Sequence, residues 1–117
     1  MDFLIGHLIG DYILQNDYLA QGKKKSSWIC MVHCVVYALT VLACTGWGWV
    51  WARYWWVGLA IVAEHFIQDR WGLVRKLMHL MGQDAFAGPP LGPWSIIVVD
   101  NVCHLVFLWV LSKAICY

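Results

Sequence analysis

Three pairs of ionisable residues four positions apart, His7/Asp11, His65/Asp69 and the reversed Asp100/His104, sit in stretches otherwise built from Leu, Ile, Val, Trp and Phe. In a helix, residues four apart share one face, about 6 Å apart along the axis at ~1.5 Å rise per residue. Each pair therefore aims an imidazole and a carboxylate at one point. Ionisable groups are costly against hydrocarbon, so a chain with three such pairs has to turn those faces toward one another. The expectation is a helical bundle with a polar interior and the geometry of a metal site.

Composition sets the surroundings of that interior. Of 117 residues, 62% are hydrophobic and 13% charged, against roughly 25% charged in soluble globular domains. The chain reads as a single membrane-embedded domain over residues 1–117. A net charge of +1, with no basic stripe interleaved with aromatics, gives no nucleic-acid-binding surface. About 20 apolar residues span a bilayer, and four segments approach that length, roughly residues 3–21, 28–50, 53–70 and 94–115. The expected fold is all-α, an integral membrane bundle of four transmembrane helices plus a short amphipathic surface helix. The surface helix is placed over Trp71 to Met81, where Arg75, Lys76 and His79 alternate with Leu73, Leu77 and Leu80.

The breaks between segments carry their own signals. The string from Gln21 to Ser27 ends the first segment, Gly46 and Gly48 loosen the turn before Arg53, and Gly82 to Pro93 reads as a loop. Trp47, Trp49, Trp51, Trp55 and Trp56 gather at the second turn as an interfacial aromatic belt. The first segment holds Asp2, His7, Asp11, Gln15 and Asp17 and lacks a signal peptide's basic start, so it is expected to remain as a mature helix. Small residues, Gly6, Gly10, Ala43, Gly58 and Ala63, are expected to let helices approach closely.

Lys and Arg are enriched in cytoplasmic loops. Lys23, Lys24 and Lys25 follow the first segment and Arg70, Arg75 and Lys76 the third, which points both loops to the cytoplasm and both chain ends away from it. Arg53 and Lys113 dissent. In that orientation Asp11, His33, His65, Asp69, Asp100 and His104 all fall within ~15 Å of one interface by helix rise.

Seven candidate metal ligands result: His7, Asp11, His33, His65, Asp69, Asp100 and His104. Mixed imidazole and carboxylate sets suit Zn, Mn or Fe, and facing helices of bundles build two-metal sites. Seven ligands exceed the needs of one tetrahedral ion, so two divalent transition-metal ions are expected, with open positions for water. Glu64, turned about 100° from His65, is read as a partner or base behind the ligands. Gln15, one i+4 step beyond Asp11, is placed to hold water or a substrate oxygen. Cys30, Cys34 and Cys103 flank His33 and His104 and offer a thiolate alternative. The competing structural reading, His paired with Asp across helices to satisfy charge, explains burial but not the recurring spacing.

The run His7-Leu-Ile-Gly-Asp-Tyr-Ile-Leu-Gln15, with Tyr18, Ala20, Lys23 and His33, then His65-Phe-Ile-Gln-Asp69 and Asp100-Asn-Val-Cys-His104, resembles a family of small bacterial and phage integral membrane proteins known only as a domain of unknown function. The resemblance covers nearly the whole chain and implies a bacterial inner-membrane location, with no settled activity. On its His/Asp pairs alone the chain is also similar to LexA-regulated inner-membrane metal-dependent hydrolases.

Two ions near the headgroups activate water and stabilise phosphoryl oxygens, so the expected function is a metal-dependent membrane hydrolase acting on a phosphate-bearing lipid or nucleotide. Lys23, with Lys24, Lys25, Arg70 and Arg75, lies where an anionic group would enter, although membrane topology explains the same residues equally well. Membrane lipid and a homodimer mate are the expected partners. A metal or proton transporter and a small regulatory subunit with a structural metal stay open as alternatives. An oxidative di-iron enzyme would be richer in Glu. Apart from Arg53 at the very end of the third, the outer halves of the second and third segments lack Asp, Glu, Lys, Arg and His, which argues against a through pathway in a monomer.

Overall fold

The computed structural model describes residues 2–46 and 55–116. Among these residues seven α-helices follow one another: α1 (Asp2–Leu8), α2 (Asp17–Gly22), α3 (Ser27–Thr45), α4 (Trp56–Trp71), α5 (Leu73–Leu80), α6 (Asp84–Ala87) and α7 (Trp94–Cys116). No strand occurs among the described residues. α3 packs between α1 and α4, while α7 closes the bundle against α1, α4 and α5.

The first segment is not the continuous span expected over 3–21. α1 runs into a π-helical turn, Ile9–Ile13, closed by a bond from the Leu14 amide to the Ile9 carbonyl. The chain then extends at Asn16, whose side chain accepts from the Leu19 amide and starts α2. Continuous helix therefore covers only residues 2–13. Among the described residues, α3 and α7 are long and apolar enough to cross a membrane. α4, with 16 residues, reaches about 24 Å at 1.5 Å per residue, short of a ~30 Å hydrocarbon core. Four membrane-crossing helices are thus not established by helix length. Trp47, Trp49, Trp51 and Arg53 lie outside the described residues.

Gly72, at φ 58°, ends α4 in a left-handed conformation and lets α5 leave at an angle. The amphipathic helix expected over Trp71 to Met81 is this α5. It buries Val74 and Met78 and exposes Arg75, Lys76 and His79, together with Leu77 and Leu80. The segment Gly82 to Pro93 is a loop except for the single turn α6.

The interior is divided along its length. Tyr37, Ala38, Val41, Leu42, Val57, Ile61, Leu108 and Leu111 form an apolar core. Following α3 and α7 toward their N-termini, and α4 toward its C-terminus, the same stripes turn polar, with His33 on α3, His65 and Asp69 on α4 and His104 on α7. Outward faces carry Trp28, Leu39, Leu59, Ile67, Val102, Val106 and Trp109. At the polar end, buried His and Asp beside exposed Trp28, Ile67 and Val102 invert the usual arrangement of a water-soluble bundle.

Close approach of α1 to α3 positions the polar end. A β-carbon on Gly6 would lie 2.9 Å from the Val41 Cα, and one on Gly10 would lie 2.9 Å from Tyr37 Cδ2. Gly58 is also buried, whereas Ala43 and Ala63 face outward. Gly6→Leu should therefore push α1 off α3 and destabilise the fold by about 1–3 kcal/mol through overpacking. Ala63→Leu should leave it unchanged. Thermal unfolding in detergent, followed by tryptophan fluorescence, checks both.

Candidate metal centre

Five segments deliver the site: α1 brings His7, the π-helical turn Asp11, α3 His33, α4 Glu64, His65 and Asp69, and α7 Asp100 and His104. His7, His33, His65 and His104 are fully buried, and Asp11 and Asp69 nearly so. The widened turn at Ile9–Ile13 matters here, since inserted π turns re-aim side chains at functional sites. Asp11 stays 3.8 Å from His7 Nδ1 and comes closer to His33 and His65.

Among the described residues the donor atoms gather into three close groups, two of which include aspartates. In the first, the Nε2 atoms of His33 and His65 lie 2.9 Å apart. Asp11 Oδ1 is 3.2 Å from each of them, and Asp69 Oδ2 is 3.3 Å from each. Four ligands at 2.0–2.1 Å from a tetrahedral ion would sit ~3.3 Å from one another. This donor set, Asp11, His33, His65 and Asp69, thus has a cation-sized cage at its centre. The second group joins Asp11, Asp100 and His104. Its His104 Nε2 lies 3.5 Å from Asp100 Oδ2 and 3.4 Å from the other oxygen of Asp69, Oδ1. Asp11 belongs to both groups, and Asp69 turns one oxygen toward each.

Asp11 Oδ1 and His104 Nε2 are buried without a hydrogen-bond partner among the described residues, as are His33 Nδ1, His65 Nδ1 and Gln15 Oε1. Leaving such groups unpaired is expensive. His33 Nε2 and His65 Nε2 share a direct hydrogen bond, but the unpartnered Asp11 Oδ1 and His104 Nε2 held against neighbouring donor atoms suit a shared cation.

The structure places His7 in neither group. Its Nδ1 is 2.8 Å from the Tyr37 hydroxyl and its Nε2 2.7 Å from Asn101 Oδ1. Asn101 in turn bonds the Tyr12 hydroxyl. Both ring nitrogens are engaged by neutral partners, so His7 joins α1 to α3 and α7 behind the donor cluster. Tyr37 also stacks on the His65 ring, at 3.7 Å between centroids and 12° between planes. Glu64 sits 3.2 Å from His104 Nδ1, the arrangement in which a carboxylate fixes a ligand imidazole's tautomer and frees Nε2 for a metal. Glu64 also forms a third close group with His65 and His104.

Gln15, just past the π-helical turn, donates from Nε2 back to the Asp11 carbonyl and borders a cavity of about 240 Å³. Asp11, Asp69, Asp100, Lys23 and Lys24 line the same cavity, which gives the donor cluster a route outward. None of the groups of potential ligands among the described residues includes a cysteine. Cys30 and Cys34 are buried with their sulfurs 3.9 Å apart.

The structure adds supporting roles that spacing does not signal, including one for Arg70, which the sequence marks only as a basic residue near the entrance. Gln68 donates to Asp100 Oδ1 at 2.8 Å and so orients a prospective ligand. Arg70 donates to the Lys24 carbonyl at 2.7 Å and to Ser27 Oγ at 3.3 Å, which ties the lysine loop to the end of α4. Tyr37 was discoverable, being one i+4 step from His33. Gln68, Arg70 and Asn101 carry no periodic signal of their own; each merely adjoins an aspartate singled out for its spacing.

A family model matches residues 1–117 from end to end. The chain belongs to the family described as Protein of unknown function (DUF3307). No curated protein and no solved structure matches this DUF3307 chain.

Lys23 places its Nζ 2.7 Å from Asp69 Oδ2. Burial opposes its charge, but the Asp69 carboxylate outweighs that and holds the ammonium above the ordinary lysine value. Since the folded pKa is raised, the stabilisation is complete below the unfolded value and is lost as pH rises through the folded one. In chelator, the difference in thermal midpoint between wild type and Lys23→Gln should stay constant from about pH 6 to 9 and shrink only above the ordinary lysine range. Separately, Tyr37→Phe should destabilise by about 1–3 kcal/mol by unpairing buried His7. Denaturant titration measures that loss, and metal content should be unchanged because His7 lies outside both donor groups.

Proposed function

We propose that this protein is a membrane-embedded, metal-dependent hydrolase whose site holds two divalent transition-metal ions, of the Zn, Mn or Fe class. Its ligands are Asp11, His33, His65, Asp69, Asp100 and His104, six of the seven residues suggested by spacing. The observation that carries the reading is Asp69, with Oδ2 facing the two imidazoles of one donor group and Oδ1 facing His104 of the next. A carboxylate presented to two adjoining groups suits a two-metal centre.

Such a pair supplies activation of water at neutral pH and charge stabilisation for a phosphoryl group. The chain's own residues then have distinct tasks. Glu64 fixes His104, Gln68 fixes Asp100, and Gln15 borders the approach. The cavity beside Asp11, Asp69 and Asp100 supports a catalytic site over a closed structural one, which would leave no access. Its lining combines Lys23 and Lys24 with Ile96, Ile97 and Val74, a mixture suited to a phosphate attached to an apolar body, such as a lipid phosphate.

The inverted distribution of polar and apolar groups supports membrane embedding, with α3 and α7 as crossing helices. We read α4 and the broken first segment as completing a four-part bundle in a bacterial inner membrane. The Arg70 bond to the Lys24 carbonyl sets the two basic segments side by side, which supports one cytoplasmic face for both and chain ends on the other side.

Elemental mass spectrometry of protein purified in detergent tests the proposal. Wild type should carry about two transition-metal ions per chain. The near-isosteric Asp69→Asn should lose both while remaining folded, and Cys30→Ser should retain them. Absence of metal from wild type after reconstitution with Zn, Mn or Fe would overturn the hydrolase reading.

A further inference from the structure

Three consecutive lysines follow α2, and their environments differ. Lys24 and Lys25 are exposed. Lys23 is 13% exposed in its side chain and turns inward to Asp69 Oδ2, at 2.7 Å. That oxygen is one corner of the cage formed with His33, His65 and Asp11. A lysine present only to set topology or attract anionic lipid would stay in solvent like its two neighbours. The backbone bearing Lys23 is anchored by Arg70 at the Lys24 carbonyl, while Lys23's long side chain borders the cavity of about 240 Å³.

Resting on the two-metal reading, we propose that Lys23 is an exchangeable counter-ion. It neutralises Asp69 when no metal is bound, leaves when a divalent ion takes that oxygen, and then binds a phosphate oxyanion in the adjacent cavity. The physical basis is competition for one oxygen. A divalent ion on an oxygen 2.7 Å from an ammonium meets the repulsion of that like charge, and an ammonium displaced from Asp69 needs another anion. The cavity beside it, bordered by Lys24 as well, is where that anion fits. Metal and phosphate are thereby coupled, with the anion site completed only after metal loading.

The test is calorimetric titration of detergent-solubilised, metal-stripped protein with Zn²⁺ alone, then with inorganic phosphate. Lys23→Gln should bind Zn²⁺ about tenfold more tightly than wild type, because the competitor is gone, yet bind phosphate about tenfold more weakly once loaded. Wild type should bind phosphate only in the loaded state. Lys25→Gln should match wild type in both titrations, and Lys23→Arg should restore phosphate binding. Phosphatidic acid in mixed micelles that displaces phosphate at lower concentration than phosphate itself assigns a lipid source for the oxyanion; equal or weaker displacement assigns free phosphate. Equal or weaker Zn²⁺ binding by Lys23→Gln, with wild type binding normally, overturns the exchange while leaving the two-metal reading intact. Failure of wild type to bind Zn²⁺ overturns both.

Discussion

Burial of four imidazoles and two aspartates in an otherwise apolar bundle is the constraint on which the rest of this structure depends. None of these groups can be left unpaired in such surroundings without a cost of several kcal/mol. The helices are therefore placed so that α3, α4, α7 and the turn after α1 meet at one level. His33, His65 and Asp69 converge from α3 and α4, and His104 arrives from α7. Gly6 on α1 and Gly10 in the π-helical turn permit the close approach to α3 that brings Asp11 within 3.2 Å of both His33 and His65.

Around that cluster the bundle separates support from access. Toward the far end, Val41, Leu42, Val57, Ile61, Leu108 and Leu111 hold the helices by apolar packing alone. Behind the cluster, the Tyr37–His7–Asn101 chain joins three segments through neutral hydrogen bonds. At its flanks Glu64 and Gln68 set the orientation of His104 and Asp100. The side facing the lysine loop is open, through the cavity lined by Asp11, Asp69 and Asp100. Residues that support the cluster and residues that border its approach thus come from different faces of the bundle.

The π-helical turn illustrates how local irregularity serves this arrangement. A regular α-helix through Ile9–Ile13 would stack Asp11 above His7, as the spacing suggests. The wider turn separates their roles: His7 becomes a hydrogen-bonded strut, and Asp11 joins the donor groups of α3 and α7. The same irregularity ends the helix early and leaves the break at which Asn16 starts α2. α2 then leads directly into the lysines.

Helical periodicity and composition determined much by themselves. His65/Asp69 and Asp100/His104 are within-helix pairs as their spacing requires, α3 and α7 fall on the second and fourth apolar segments, and α5 follows its amphipathic pattern. These are legible because a 3.6-residue period and a run of apolar side chains act through nearest neighbours on one helix. Tertiary structure decided what no single helix contains: that His7 pairs with Tyr37 and Asn101, that Asp69 divides its oxygens between two groups, and that Lys23 alone of three adjacent lysines turns inward. Each depends on the rotation and distance of one helix against another, set by packing between residues 30 to 94 positions apart, which periodicity along the chain does not encode.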